Sequence, residues 1–301
     1  MSGEHEADGD LLGPVSRFFI SQRLRLHYVD WGNHAAPTLV LVHGGRDHAR
    51  SWDSVARDLR RDWHVVAPDL RGHGDSAWAV GSLYHMVEYV IDLAQLLRAI
   101  GRFPVTLVAH SLGSSICAHY AAAHPEHVAR FVAIEGIEPP PRIREWLDAL
   151  TPVERLRGAI EEAQQQAARA PRRYATLADA AKRMQEENAF LSPEQARHLT
   201  EHGVARNEDG SFSWKFDNYA RGPKLFRPAD DEQREIRRSV RCPVLMIRGT
   251  ESGVPDPALS GVLADFPNAR AVAVDGAGHW VHHDRLRETL RLVRGFLAES
   301  Q

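Results

Sequence analysis

The stretch that decides the fold is VTLVAHSLGSSICAHY, residues 105–120. Val105–Ala109 is a mainly apolar run of the kind found in strands covered on both faces. Ser114–His124 is rich in small residues and reads as a helix, and Ser111 falls on the turn between the two. A turn that passes straight from strand to helix is tight, so the residues two before and two after the serine must be small. Here they are Ala109 and Gly113. The pattern approximates G-x-S-x-G, with alanine for the first glycine. Such an elbow lifts a serine hydroxyl above the sheet and puts the next N–H at a helix start. S-x-G alone is common and carries little weight; the strand before it and the helix after it supply the rest.

Strands and helices alternate on either side of this unit. Arg17–Ile20 and Leu24–Val29 form a predicted hairpin around Ser21–Arg23. Thr38–Val42 and Trp63–Ala67 are buried-type strands, with a short helix over Ser51–Leu59 between them. Tyr84–Ile100 places Val87, Val90, Ile91, Ala94 and Leu97 at helical spacing and stops at Gly101. Val128–Ile134, Pro243–Ile247 and Ala271–Val274 continue the strands, with a helix near Pro257–Asp265 and a last one from about Asp284 to Ala298. That alternation implies an α/β fold with a mostly parallel central sheet flanked by helices. The pattern breaks after Ile137. Pro139–Pro141 stiffens the chain, and a charged, Ala- and Gln-rich helical segment follows, with amphipathic helices over Glu154–Ala170 and Leu177–Asn188. A turn at Asn207–Gly210 leads into the aromatic stretch Phe212–Tyr219. The predicted organisation is a loose tail over 1–13, a core made of 14–137 and 239–301, and a mainly helical insertion over 138–238.

Composition narrows the function classes. The 301 residues carry 37 basic against 40 acidic side chains, and 43 % are hydrophobic, enough for a sizeable core and against wholesale disorder. Near-neutral charge without a basic run argues against nucleic acid or an anionic membrane as the main partner. No apolar stretch approaches the roughly 18 residues needed to span a bilayer, and the acidic start MSGEHEADGD lacks a signal-segment pattern. Cys117 and Cys242, each inside an apolar pattern, read as two buried thiols rather than a disulfide. The expected location is cytoplasmic and the expected partner a small-molecule substrate, with homo-oligomerisation left open.

A serine is a poor nucleophile at neutral pH unless a general base reaches it and an acceptor orients that base. Among 17 histidines, His279 is the best placed. It lies in DGAGHWVHHD, on a Gly-rich loop after the last apolar strand, where the backbone can carry its ring towards the sheet's carboxyl edge. Its neighbours His282, His283 and Asp284 suggest a metal site, but no second cluster with ligand spacing accompanies them, so a solvated helix start is the expected reading. In LVHGGRDH, His43, Gly44 and Gly45 directly follow a buried strand. The backbone N–H groups of Gly45 and Leu112 are therefore the candidates for stabilising a developing oxyanion. Arg46 and Asp47, next in line, are candidates either for a polar substrate group or for a local ion pair.

The order HGGRDH, APDLRGHGDS, VAHSLGS, CPVLMIRG, GAGHW, running over residues 43–280, resembles the α/β-hydrolase fold superfamily, serine hydrolases of esterase type in particular. The likeness covers almost everything from about residue 15 to 299. It implies that the helical insertion is a cap over the active site, that no metal or organic cofactor is required, and that Arg71, His73, Asp75 and Ser76 form a structural loop. Haloalkane dehalogenases and epoxide hydrolases resemble the chain elsewhere but carry aspartate at the elbow; with Ser111 there, both activities are disfavoured.

The acid departs from the family pattern. In most members it stands three residues after the glycine of the strand matching PVLMIRG, and counting from Gly249 that position holds Ser252. Glu251 comes one residue early, and Asp256 lies past Pro255. Other members take the acid from the end of the strand after the nucleophile helix. Here RFVAIEG delivers Glu135, where a carboxylate following four apolar residues is costly unless paired or functional. Glu135 is the choice; Glu138 is expected to face solvent. The predicted triad is Ser111, His279 and Glu135, acting on a carboxylic ester through an acyl-enzyme. Carbon–carbon bond hydrolysis, perhydrolysis and ligand binding without catalysis are the alternatives. The aromatic residues Trp146, Tyr174, Phe190, Trp214, Phe216 and Tyr219 are expected to form the cap's own core rather than line a pocket.

Overall fold

The computed structural model describes residues 13–82, 84–137, 145–146, 149–221 and 228–299. Glu138 and most of the tail over 1–13 lie outside them. Eight strands form one sheet: β1 (Val15–Ser21), β2 (Leu24–Asp30), β3 (Thr38–Val42), β4 (His64–Pro68), β5 (Val105–His110), β6 (Val128–Ile134), β9 (Val244–Gly249) and β10 (Ala269–Val274). Their spatial order is β1-β2-β4-β3-β5-β6-β9-β10. The β1–β2 and β2–β4 pairs are antiparallel and every other neighbouring pair is parallel. Strands β3, β4 and β5 are buried at every position, which is why their sequences run apolar without alternation.

Helices cover both faces. On one face, α2 (Met86–Ile100) and α3 (Leu112–Ala123) bury Tyr89, Leu93, Leu97, Ile116 and Tyr120 against Val40, Leu107 and Phe131. On the other, α1 (Asp53–Leu59) and α9 (Leu286–Leu297) bring Val55, Leu59, Val293 and Phe296 to Leu39, Leu41 and Ile247. Helix α2 ends where the sequence says it should, with Gly101 in the left-handed conformation. Both cysteines are free and buried.

Between β6 and β9 the described chain adds no strand to the main sheet. It forms α4 (Pro152–Ala167), α5 (Leu177–Glu187), α6 (Pro193–Gly203), the small antiparallel pair β7 (Val204–Arg206) and β8 (Phe212–Trp214), and α7 (Asp230–Ser239), which packs on α3. Local signals start three of these helices. Thr151, Ser192 and Thr176 each accept the N3 backbone N–H while the N3 side chain returns the bond, and Pro152 and Pro193 occupy first-turn positions. No helix among the described residues is long and apolar enough to cross a membrane.

One expectation about the elements needs correction. Pro257–Asp265 is not a helix: it is a series of turns closed by a 3-10 turn at Val262–Asp265. The Asp256 side chain takes the Ala258 N–H into a turn, and Gly261 sits at φ +83°, which no α-helix accommodates. The terminal helix forms as expected, as α9 over Leu286–Leu297; a separate single turn, α8 (Val281–Asp284), precedes it, set off by Arg285 at φ −135° and ψ 55°.

Candidate active site

Ser111, Glu135, His279 and Gly45 lie in the connections that leave the carboxyl edges of parallel strands, and Leu112 opens the helix that follows Ser111. Ser111 follows β5 with φ 52° and ψ −118°, a strained conformation that points the chain abruptly into α3. The strain is held by two close backbone approaches. A side-chain carbon on Gly113 would stand 2.4 Å from the Val42 carbonyl oxygen, and one on Gly136 would stand 2.4 Å from Ser111 Cα. Only glycine lets β3 and the chain after β6 come this near the elbow. Ala109, in the first glycine position, is fully buried without such a demand.

His279 lies on the loop between β10 and α8. Its Nε2 accepts from the Ser111 hydroxyl at 3.1 Å, and its Nδ1–H donates to Glu135 Oε2 at 3.1 Å. Glu135 follows β6 directly and has φ 56°. Its side chain is fully buried, which is tolerable because both oxygens are met. Oε1 accepts the Gly249 N–H at 2.8 Å, and Oε2 also accepts the Ser252 hydroxyl at 2.5 Å. The position where the family pattern puts its acid, Ser252, thus supplies a donor to the Glu135 carboxylate that arrives from β6. Ser252 is itself fixed by the Val254 N–H at 3.1 Å. Glu251 is exposed on the cavity rim and Asp256 is engaged in its own turn.

Ser111, Leu112, Gly45 and His279 open onto a cavity of about 770 Å³. Leu112 is the first residue of α3, so its N–H has no acceptor within the helix. Tyr174, Phe190, Trp214 and Phe216 line the cavity. The aromatic side chains expected to form a separate core therefore divide. Tyr174 and Trp214 pack edge-on at 6.0 Å with Val204 and Ala180 and still face the cavity, whereas Trp146 and Tyr219 are exposed. Arg46 turns to the cavity, 3.9 Å from Glu187. Asp47 turns inward instead, accepting the His48 N–H at 2.8 Å and the Ser51 hydroxyl at 3.0 Å.

The family-model comparison matches the α/β hydrolase fold over residues 37–286. This chain belongs to the α/β hydrolase fold family. It is 28 % identical over 275 residues to the sn-1-specific diacylglycerol lipase ABHD11 of Mus musculus, covering 89 % of this hydrolase and 83 % of that protein. It is 25 % identical over 300 residues to esterase Rv0045c of Mycobacterium tuberculosis, covering 98 % and 93 %. Among solved structures, E-2-(acetamidomethylene)succinate hydrolase matches with a TM-score of 0.77 and 25 % identity, over 95 % of this chain and 99 % of that one.

The APDLRGHGDS loop of this hydrolase is held by buried polar contacts. Arg71 makes a two-pronged contact with Asp92 at 2.6 and 2.9 Å and reaches Glu88 at 2.8 Å. Asp69 accepts from His27 and the Ala49 N–H at 2.6 Å each, which holds its carboxyl well below the usual range against the cost of burial. The same loop docks the helical segment: Asp217 N–H donates to Gly72 O at 2.8 Å, and Lys215 meets Asp75 at 2.7 Å.

The histidines after Trp280 do not form a solvated helix start. His282 is 1 % exposed and stacks on Trp52 at 4.4 Å, and burial pushes it well below its usual pKa. Asp284 accepts the Gly278 N–H and the Asn188 amide, bracing the His279 loop. Sequence reading missed this inward turn because α8 is a single turn, too short for periodicity to assign a face. It also missed His110, which is buried and donates Nε2–H to the His279 carbonyl at 2.9 Å.

Proposed function

We propose that this hydrolase cleaves a small-molecule carboxylic ester through a Ser111–His279–Glu135 triad. The observation that carries the reading is the continuous hydrogen-bonded chain from the Ser111 hydroxyl through both nitrogens of His279 to a buried, fully satisfied Glu135. In this mechanism His279 Nε2 takes the Ser111 proton as the oxygen attacks the ester carbonyl, and the Gly45 and Leu112 N–H groups receive the oxyanion. One such donor is typically worth about 3 kcal/mol. His279 then protonates the leaving alcohol, and water, activated the same way, releases the acid. Glu135 keeps the proton on Nδ1, so that Nε2 stays the base, and stabilises the imidazolium.

The insertion over 138–238 acts as the cap that shapes the cavity. Its aromatic lining suits an apolar acyl or alcohol group, in keeping with the esterase and lipase names among the relatives. The test is labelling with a serine-reactive phosphonate, located by peptide mass. Label on Ser111 in the wild type and none in Ser111→Ala is the expected result. An unlabelled, correctly folded wild type points instead to a ligand-binding member of the family.

A further inference from the structure

We propose that Asp47, His110 and His282 form a binding site for one transition-metal dication of the zinc or cobalt class, buried behind the Ser111–His279 pair. One ligand atom from each of the three lies within 4.8 Å of the other two, and all three residues are buried. A tetrahedral zinc site sets its ligand atoms about 3.3 Å apart, so closure asks for side-chain shifts on the order of 1 Å.

The histidines carry the argument. Because His110 donates Nε2–H to the His279 carbonyl, its Nδ1 holds a bare lone pair, and that atom is buried without a protein hydrogen-bond partner. A metal-ligating histidine characteristically has its other N–H held this way by a carbonyl. His282, whose ring centroid is 4.7 Å from that of His110, has neither nitrogen partnered. Leaving a buried polar group unmet costs about 1–3 kcal/mol. Asp47 brings a carboxylate already oriented by the His48 N–H and the Ser51 hydroxyl. Two imidazoles and a carboxylate suit borderline cations and not magnesium or calcium, which prefer oxygen alone. His110 also lines the active-site cavity, which gives the ion a route in. The contrasting group is Asp30, His34 and His64. There the His34 and His64 nitrogens stand 3.2 Å apart, His64 Nε2 is 3.2 Å from Asp30, and the His34 side chain is half exposed.

The test reads metal binding alone, so it stands or falls apart from ester hydrolysis. The chelator-treated full chain is titrated with Co²⁺ and followed by its ligand-field absorption and thermal midpoint. The expected result is saturation at a single equivalent and a midpoint raised by a few degrees at about 100 times Kd. Affinity should fall at least about tenfold in His282→Phe, which keeps a ring on Trp52, and in Asp47→Asn, and should be unchanged in His34→Gln. If His282→Phe does not fold, Asp47→Asn carries the comparison. Absence of Co²⁺ binding by the wild type, or unchanged affinity in the folded Asp47 and His282 variants, overturns the proposal.

Discussion

The loops at the carboxyl edge of the sheet and the helical segment between β6 and β9 are built on opposite principles. At the sheet edge, Ser111 and Glu135 both take positive φ, and carbonyls press on Gly113 too closely for any side chain. Geometry there is imposed by neighbours. In the helical segment, α4, α5 and α6 are started by their own capping residues, and α4 and α5 bury few side chains. The lesson is that strain is stored where a long-range framework over-determines the backbone, and local capping suffices where the chain only has to cover a cavity.

The sharpest way to break this contrast is Gly113→Ala. Its methyl would meet the Val42 and His43 carbonyls at 2.4 and 2.6 Å, both backbone, so the sheet itself must move. The expected loss is about 3 kcal/mol or more, read as a fall of roughly 6–12 °C in thermal midpoint. A fall under about 2 °C would show that the elbow is not tightly framed.

Removing a donor at the sheet edge should cost less. Ser252→Ala deletes one hydrogen bond to a buried carboxylate, worth about 1.5–3 kcal/mol, and kcat/KM on a model ester should fall about tenfold or more. In Glu135→Gln, adding Ser252→Asp should restore part of the lost activity by moving the acid to the position the family pattern favours. Activity unaffected by Ser252→Ala would remove that serine from the account.

Acid sensitivity belongs to the framed region as well. Burial holds His43 down to about 3 and pushes His110 and His282 well below their usual value. Their folded pKa values are depressed, so the unfolded chain binds more protons once the pH drops below about 6.5. Their stabilisation is complete above that pH and is lost towards the folded values, each contributing a slope of about 1.4 kcal/mol per pH unit. Denaturant midpoints should fall from pH 6.5 to 5, and His282→Phe should flatten the slope. A flat profile would contradict buried neutral rings.

The smallest effect is expected in the self-capped region. Thr176→Ala removes the N-cap of α5, for about 1 kcal/mol, and should lower the midpoint by roughly 2–4 °C or less with activity little changed. A drop matching that of Gly113→Ala would erase the distinction between the two regions.

The same distinction explains what was legible. Continuous apolar strands, the Ser111 elbow, the Gly-rich loop around His279 and a carboxylate at the end of β6 each leave a mark within a few residues, so the sheet could be read directly and Ser111, His279 and Glu135 could be named as candidates. Helix α6 also had a mark, the SPEQ start at Ser192–Gln195, that went unused. The inward turn of His282 had none, because contacts with Trp52 and His110, far away in sequence, decide it. The failed helix over Pro257–Asp265 shows the converse: Gly261 outweighed a plausible pattern.

The account turns on Glu135 serving as the acid from the end of β6. The most direct measurement is kcat/KM of Glu135→Gln on an ester the wild type turns over, with folding checked by circular dichroism. The predicted result is a loss of about 10⁴-fold, the scale on which an amide in place of the triad acid sets the wrong histidine tautomer. Activity within about tenfold of wild type would contradict it.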